Sequence, residues 1–340
     1  MMDPYQFAAK QASLRYVSDD VPGISRKGAG KGFAYYMPDG TLIQNEEEKQ
    51  RINALAIPPA YQDVWICIYA NGHIQATGRD DAGRKQYRYH PDWRVIRDRT
   101  KFEKVANFCD ALPAIRARIA QDMNDTELTR PRVLAAMIML MQRHYVRVGN
   151  QQYAEAHHTY GATTLRKKHV EADGRDVHLS FKGKNSKAWS IDIHDPQLVT
   201  LIKECEELPG YELFKYEEED GTISRIDSAD VNQYLQEITG EDFTAKDFRT
   251  WAACYECFRR LQNTMPAGSE RDNAMHYNKI VTEVAQQLGH TPAVCKKSYL
   301  HPDLRSLWEK GDMHEWLKRK RKKDEALFTD YWKEHIAKLS

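Results

Sequence analysis

The sequence predicts an α+β protein of two domains: a small β-rich one over residues 1–95, and a larger, mainly α-helical one over residues 96–340 that contains a short β-hairpin. Three observations carry this expectation. At 340 residues the chain is long for a single core, since a domain takes roughly 150 residues. Strand and turn signals crowd residues 33–90. Beyond about residue 100 the apolar residues recur at helical spacing instead.

In order along the chain, "GFAYYMPDGTLI" places Pro-Asp-Gly between two apolar runs, and "VWICIYANGHIQATG" does the same with Asn-Gly; both are hairpin signatures. A short helix is expected between them, in "NEEEKQRINALAI". The domain boundary is expected near "PDWRVIRDRT", residues 91–100. After it, "KFEKVANFCDALPAIRARIAQDM" reads as an amphipathic helix and "RPRVLAAMIMLMQRHYVRVG" as a central core helix. One β interruption follows. In "DVHLSFKGKNSKAWSIDI", Val177, Leu179 and Phe181 alternate on one face, the chain turns at residues 183–186, and Trp189, Ile191 and Ile193 return. Helices then resume to the end. No internal repeat or low-complexity tract is present.

Composition excludes several classes. With 41% hydrophobic and 29% charged residues the chain reads as a soluble globular protein. No run approaches the ~20 apolar residues that cross a bilayer, and the amino terminus lacks a secretory pattern, so a cytoplasmic setting is the expectation. Six scattered cysteines include one Cys-x-x-Cys pair, Cys254 and Cys257, with no second pair to complete a zinc site; buried thiols are the better reading. His144, His157, His158 and His169 likewise lack a metal-ligand pattern, and no metal or cofactor is expected. The net charge is only +1, yet residues 79–101 hold eight Lys/Arg against four Asp, a balance of +4. Residues 204–220 hold eight acidic residues and one lysine, a balance of −7. The local field decides association with a polyanion, so a nucleic-acid partner remains open.

The stretch "LGHTPAVCKKSYLHP", residues 288–302, concentrates reactive side chains. Gly289 ends a helix, and Thr291-Pro292 caps the next one. His290 therefore sits in a sharp turn, and Tyr299 follows nine residues later, near the end of the second helix. A tyrosine phenol titrates near pH ~10, so it attacks a phosphodiester only when cations and donors stabilise the developing charge. Arginine's planar fork suits the non-bridging oxygens. Candidates are Arg147, where the core helix gives way to a turn, and Arg249, near the start of an apolar helix. Lys184 projects from the hairpin tip and can protonate a leaving oxygen. Taken singly, each has an ordinary reading as a dipole partner or solvated charge.

As a set they are more specific. "TGRDDAGRKQYRYHPDW", "VRVGNQQYA", "FKGKNSK", "DFRTWAA" and "LGHTPAVCKKSYLHP" occur in this order. In this the chain resembles the type IB DNA topoisomerases of the poxvirus-like class, which includes bacterial members, over residues 30–302. The resemblance implies that Tyr299 forms a 3′-phosphotyrosyl link and that Arg147, Arg249 and His290 bind the scissile phosphate. Lys184 would be the general acid, with Lys182 and Lys187 close enough to be alternatives. In the β-rich domain, Arg79, Arg84, Lys85, Tyr87 and Tyr89 would contact duplex DNA. The implied enzyme is a monomer that clamps duplex DNA and relaxes supercoils without ATP, metal or an obligatory protein partner, in a bacterial cytoplasm or nucleoid. Two other readings stay open: a site-specific tyrosine recombinase, which shares this chemistry, and a non-catalytic DNA-binding protein on the same fold. The basic run "KRKRKK", Lys318 to Lys323, is expected on a terminal helix and could be a solvated face or a DNA contact.

Overall fold

The computed structural model describes residues 4–30, 32–320 and 324–336. The chain divides into two compact units, residues 1–101 and 102–340.

In the first unit a helix, α1 (Pro4–Gln11), precedes strands β1 (Ile24–Ala29) and β2 (Gly32–Tyr36). Then come helix α2 (Glu46–Ala54) and strands β3 (Gln62–Ile66), β4 (Ile74–Arg79) and β5 (Lys85–Tyr89). The five strands form one antiparallel sheet in the order β2-β1-β3-β4-β5. Helix α2 lies where the sequence placed it: Asn45 caps it by accepting from the Glu48 amide at 2.9 Å, and three glutamates occupy the dipole-favoured first turn. Ile52 of that helix closes a small core with Ile24, Ile43, Ile66 and Ala76. Strand β1 is an addition to the expected set, and its exposed "SRKGA" explains why apolar alternation did not reveal it. The Pro-Asp-Gly turn closes on a single bridge, Tyr36 to Leu42, because the main partner of β2 is β1.

Helix α3 (Pro91–Asp122) begins earlier than its apolar pattern suggests. Pro91 suits a first helical turn, and Trp93 is buried with Ala9 and Leu14, so "PDWRVIRDRT" is helical rather than a linker. The division between the two units falls inside this helix.

The second unit is built around α4 (Arg130–His144), in which every residue from Arg132 to Met141 is buried. Thr129 caps it, Pro131 sits in its first turn, and it contains no glycine. Each of its large apolar side chains stabilises the unit by roughly 1.5–3 kcal/mol through burial. Helix α5 (Gln151–His157) follows, then a three-stranded antiparallel sheet of β6 (Val170–Asp173), β7 (Asp176–Lys182) and β8 (Ala188–Ile193). The expected hairpin is β7–β8, with Val177 opposite Ile193, Leu179 opposite Ile191 and Phe181 opposite Trp189. Helix α6 (Pro196–Glu207) and a two-stranded ribbon, β9 (Lys215–Glu217) with β10 (Ile223–Arg225), come next. Helices α7 (Ser228–Thr239), α8 (Ala245–Leu261) and α9 (Glu270–Gln287) lead into the short α10 (Pro292–Ser298). Then α11 (Pro302–Glu309), α12 (Asp312–Leu317), α13 (Asp324–Tyr331) and a π turn, Trp332–Ile336, are the last of the described elements.

The basic run does not lie within one helix. Helix α12 ends at Leu317, so Lys318, Arg319 and Lys320 follow its last turn, with Lys318 paired to Glu315 and Lys320 to Glu334; residues 321–323 lie outside the described residues. All six cysteines are buried thiols outside any disulfide. Among the described residues no helix is long and apolar enough to cross a membrane.

Candidate active site

Four segments of the second unit meet at one place. Helix α4 stops at Tyr145, a non-glycine residue in the left-handed region (φ 56°, ψ 24°), and residues 145–150 continue as irregular chain. Arg147 thus lies three residues beyond the helix rather than at its end. This irregular segment is fixed by the 161–164 turn: the Ala162 amide donates to the Arg147 carbonyl at 2.8 Å, and the Thr163 amide to the Val148 carbonyl at 2.7 Å. The Arg147 guanidinium donates through Nη2 to the Gly289 carbonyl at 3.0 Å, while its Nη1 is buried with no partner among the described residues. Burial holds the Arg147 pKa below the ordinary arginine value.

Arg249 enters from α8, whose start is set by a capping box between Thr244 and Asp247. Only 6% exposed, Arg249 donates to the carbonyls of Tyr145 and Leu288 and, at 2.8 Å, to His290 Nε2. Burial, then the charge of Arg147, lowers its pKa to about 10, so it remains a cation at neutral pH. Because arginine can only donate, His290 Nε2 accepts, and the imidazole proton sits on Nδ1. That nitrogen is buried without a partner among the described residues. Burial first, and then Arg249, Arg147, Lys184 and Lys187, bring the His290 pKa down to about 3. His290 is therefore a neutral ring inside a cationic cluster.

Tyr299 lies just past α10, which Thr291 caps and Pro292 opens. Its amide donates to the Cys295 carbonyl at 3.0 Å, and its own carbonyl accepts from Cys254 Sγ at 3.0 Å. The phenol ring stacks on His290 with centroids 4.1 Å apart and planes 21° apart. The Tyr299 side chain also favours the charged form of the Arg249 guanidinium. Lys184 occupies the exposed turn at the tip of β7–β8, where its charge reaches His290. Lys187 is half-buried, and its amine donates to the Gln286 carbonyl at 2.9 Å. Burial and the charge of Arg147 hold its pKa below the lysine norm.

The fold thus brings Arg147, Lys184, Arg249, His290 and Tyr299 together. Chemically the arrangement offers a buried and a half-buried guanidinium for an anion, a neutral imidazole, a phenol and an exposed ammonium. Sequence reading missed the supports. The Tyr145 phenol donates to Glu256 at 3.1 Å, and Glu256 is held by Arg259 and Arg260. A left-handed tyrosine at a helix end leaves no mark in an apolar pattern.

The other candidates belong to the first unit. Arg79 pairs in register with Lys85, and Lys85, Tyr87 and Tyr89 alternate onto one face of β5, an edge strand. Tyr87 and Tyr89 stack at 5.8 Å, with Tyr87 exposed and Tyr89 packed toward Trp93. Lys85 is ion-paired with Asp19 at 2.6 Å, and Arg84 with Asp80 at 2.8 Å. Arg79 donates to the Gly83 carbonyl.

Comparison with known proteins agrees with both units. Residues 90–325 match the family described as "Eukaryotic DNA topoisomerase I, catalytic core", and residues 32–80 match "Bacterial DNA topoisomerase IB, N-terminal domain". The chain is 34% identical over 285 residues to DNA topoisomerase 1B of Acanthamoeba polyphaga mimivirus, covering 82% of this chain and 85% of that protein. It is 20% identical over 230 residues to DNA topoisomerase 1B of Vaccinia virus (strain Copenhagen), covering 66% and 69%. It is 27% identical over 201 residues to DNA topoisomerase 1 of Schizosaccharomyces pombe, covering 58% of this chain and 24% of that protein. With this coverage, and with a β-rich unit preceding a helical unit that gathers a tyrosine, a histidine, a lysine and two arginines, the chain belongs to the type IB DNA topoisomerases.

Proposed function

We propose that this topoisomerase relaxes supercoiled duplex DNA through Tyr299. Its phenol oxygen attacks a backbone phosphorus, the bond from phosphorus to the 5′ oxygen breaks, and a 3′-phosphotyrosyl link joins protein and strand. The freed strand swivels, and its 5′ hydroxyl then reverses the reaction. Exchanging one phosphodiester for another conserves bond energy, so ATP has no role in this scheme. The carrying observation is the convergence of Tyr299 with the buried guanidinium of Arg249 and with His290.

Arg147 and Arg249 neutralise the non-bridging oxygens, the charge that a divalent cation would otherwise supply. Because Arg249 is buried and Arg147 half-buried, their charges act in a medium less polar than bulk water, where they stabilise the pentacoordinate state more. The His290 stack holds the Tyr299 ring beside the guanidiniums. Lys184 protonates the departing 5′ oxygen; its exposed turn, from which its charge reaches His290, supports this. Arg79, Arg84, Lys85, Tyr87 and Tyr89 contact the duplex from the first unit. We further propose residues 1–95 as a DNA-binding domain and 96–340 as the catalytic domain of an enzyme that acts as a monomer.

A plasmid assay tests the reading. In EDTA and without ATP the protein should relax both positive and negative supercoils of an arbitrary plasmid, and Tyr299→Phe should not. Full relaxation by Tyr299→Phe would remove Tyr299 from the role of nucleophile. Recombination of paired sites without relaxation would favour a recombinase.

A further inference from the structure

The hairpin that carries Lys184 and the turn that carries His290 come from chain segments about a hundred residues apart, and the side chain between them is Trp189. Its indole lies against two glycines. A Cβ on Gly183 would fall 2.6 Å from Trp189 Nε1, and a Cβ on Gly289 would fall 2.6 Å from its Cζ2, so any side chain at either position would displace the ring. Gly183 directly precedes Lys184, and Gly289 directly precedes His290. Gly289 also has φ +67°, a conformation that L side chains rarely adopt. Trp189 also stacks on Phe181, the residue opposite it in the hairpin, with ring centroids 6.1 Å apart and planes 2° apart. A second tie runs parallel to the first: Lys187 Nζ reaches the Gln286 carbonyl of α9 at 2.9 Å. The loop between is closed by the Gly183 amide donating to the Lys187 carbonyl at 2.8 Å, and it holds Asn185 and Ser186 in the left-handed region at φ 61° and 57°.

We infer that Trp189 is a positioning residue, one that docks the Lys184 hairpin onto the His290 turn and thereby fixes where the proton donor stands. The inference rests on the reading of Lys184 as general acid. Lysine is long and flexible, so where its ammonium stands depends first on where the hairpin backbone is held. Proton delivery requires the donor within about 2.6–3.2 Å of the leaving oxygen. A displacement of about 1 Å at a reacting group can cost on the order of a hundredfold in rate. The dock ties the backbone on the amino-terminal side of Lys184 to the backbone on the amino-terminal side of His290, so donor and phosphate-binding groups share one rigid base. Neither the indole nor the Lys187 amine needs to touch substrate for this.

The test separates proton delivery from everything else the hairpin does. Single-turnover cleavage is measured on a duplex whose scissile phosphate carries either the natural 5′ oxygen or a bridging 5′ sulfur. A thiolate, whose conjugate acid titrates near pH ~8.5, leaves without being protonated, whereas an alkoxide does not. Trp189→Ala should slow cleavage of the oxygen substrate by about tenfold or more, while sulfur-substrate cleavage stays within about threefold of the unsubstituted enzyme; Trp189→Phe, which keeps a ring between the glycines, should recover part of the oxygen rate. Equal slowing on both substrates, or no slowing on either, would overturn the docking role. Lys184→Ala run in parallel tests the reading beneath it: if sulfur does not restore its cleavage, Lys184 is not the acid and both fall. If sulfur restores Lys184→Ala but does not selectively spare Trp189→Ala, the inference alone fails. Should Trp189→Ala not unfold cooperatively on heating, Trp189→Leu takes its place in the same comparison.

Discussion

At His290 the environment, rather than the residue type, sets the chemistry. Its folded pKa of about 3 lies below the ordinary 6.5 because burial and four neighbouring cations disfavour the imidazolium. Between those two values the unfolded chain binds a proton that the folded chain does not. The His290 contribution to stability is therefore complete above pH ~6.5 and is lost as pH falls toward 3. Acid titration of the unfolding free energy should show His290→Gln losing less stability than the parent between pH 6.5 and 4, by at least about 1 kcal/mol. An identical acid dependence would mean that the ring is not held neutral. The same neutrality predicts no inflection near pH 6.5 in the single-turnover cleavage rate that His290→Gln would abolish.

At the scale of elements, the end of α4 is held from α8 by two grips, Arg249 on the Tyr145 carbonyl and Glu256 on the Tyr145 phenol. Burial pushes the Glu256 carboxyl up, but Arg259 and Arg260 outweigh it and keep the group ionised. The grip is therefore a charge-assisted hydrogen bond, worth about 1.5–3 kcal/mol. Tyr145→Phe should lower the unfolding free energy by about that amount and slow cleavage, because Arg147 sits two residues beyond the released turn. Denaturant unfolding and single-turnover kinetics check the two effects; a variant equal to the parent in both would show that backbone alone sets the turn. In β5 the relevant partner is Asp19, which accepts from Thr77 at 2.8 Å and pairs with Lys85. Burial raises the Asp19 pKa, yet Lys85 and Thr77 prevail and hold it low, so it is a carboxylate; on the proposed reading of Lys85 as a DNA contact, it would compete with phosphate for that amine. Asp19→Asn should tighten duplex binding and steepen the dependence of log K on log salt by up to about one, as one more cation releases a counterion. Titrations at several salt concentrations would reveal an unchanged slope if Lys85 does not face DNA.

At the scale of the whole molecule, the sequence reading was strongest where pattern and packing coincide. The alternation of Val177, Leu179 and Phe181 gave the hairpin and its register because one face is buried. The nine-residue spacing of His290 and Tyr299 was informative because a capped seven-residue helix fills most of it. Strand β1 escaped because its residues after Ile24 are largely exposed, and α3 was cut short because its first turns, apart from Trp93, are mostly polar. Trp189 read as one apolar member of a strand, since its partners Gly183 and Gly289 become neighbours only through tertiary contact. Arg249 read as a residue near a helix start; that it grips two separate segments, at Tyr145 and at Leu288 and His290, follows from three-dimensional packing alone. Local pattern could name the chemically able residues, but not which of them would be buried cations.

The central claim is that Tyr299 carries the strand through a 3′-phosphate. A duplex cut short just downstream of a cleavage site traps the covalent state, because the released fragment diffuses away before religation. With the scissile strand labelled at its 5′ end, a denaturing gel should show the label shifted to the mass of the protein, and peptide mapping should find it on the peptide containing Tyr299; Tyr299→Phe should give no shifted band. Label retained on the protein only when placed at the 3′ end, or found on a peptide lacking Tyr299, would contradict the account.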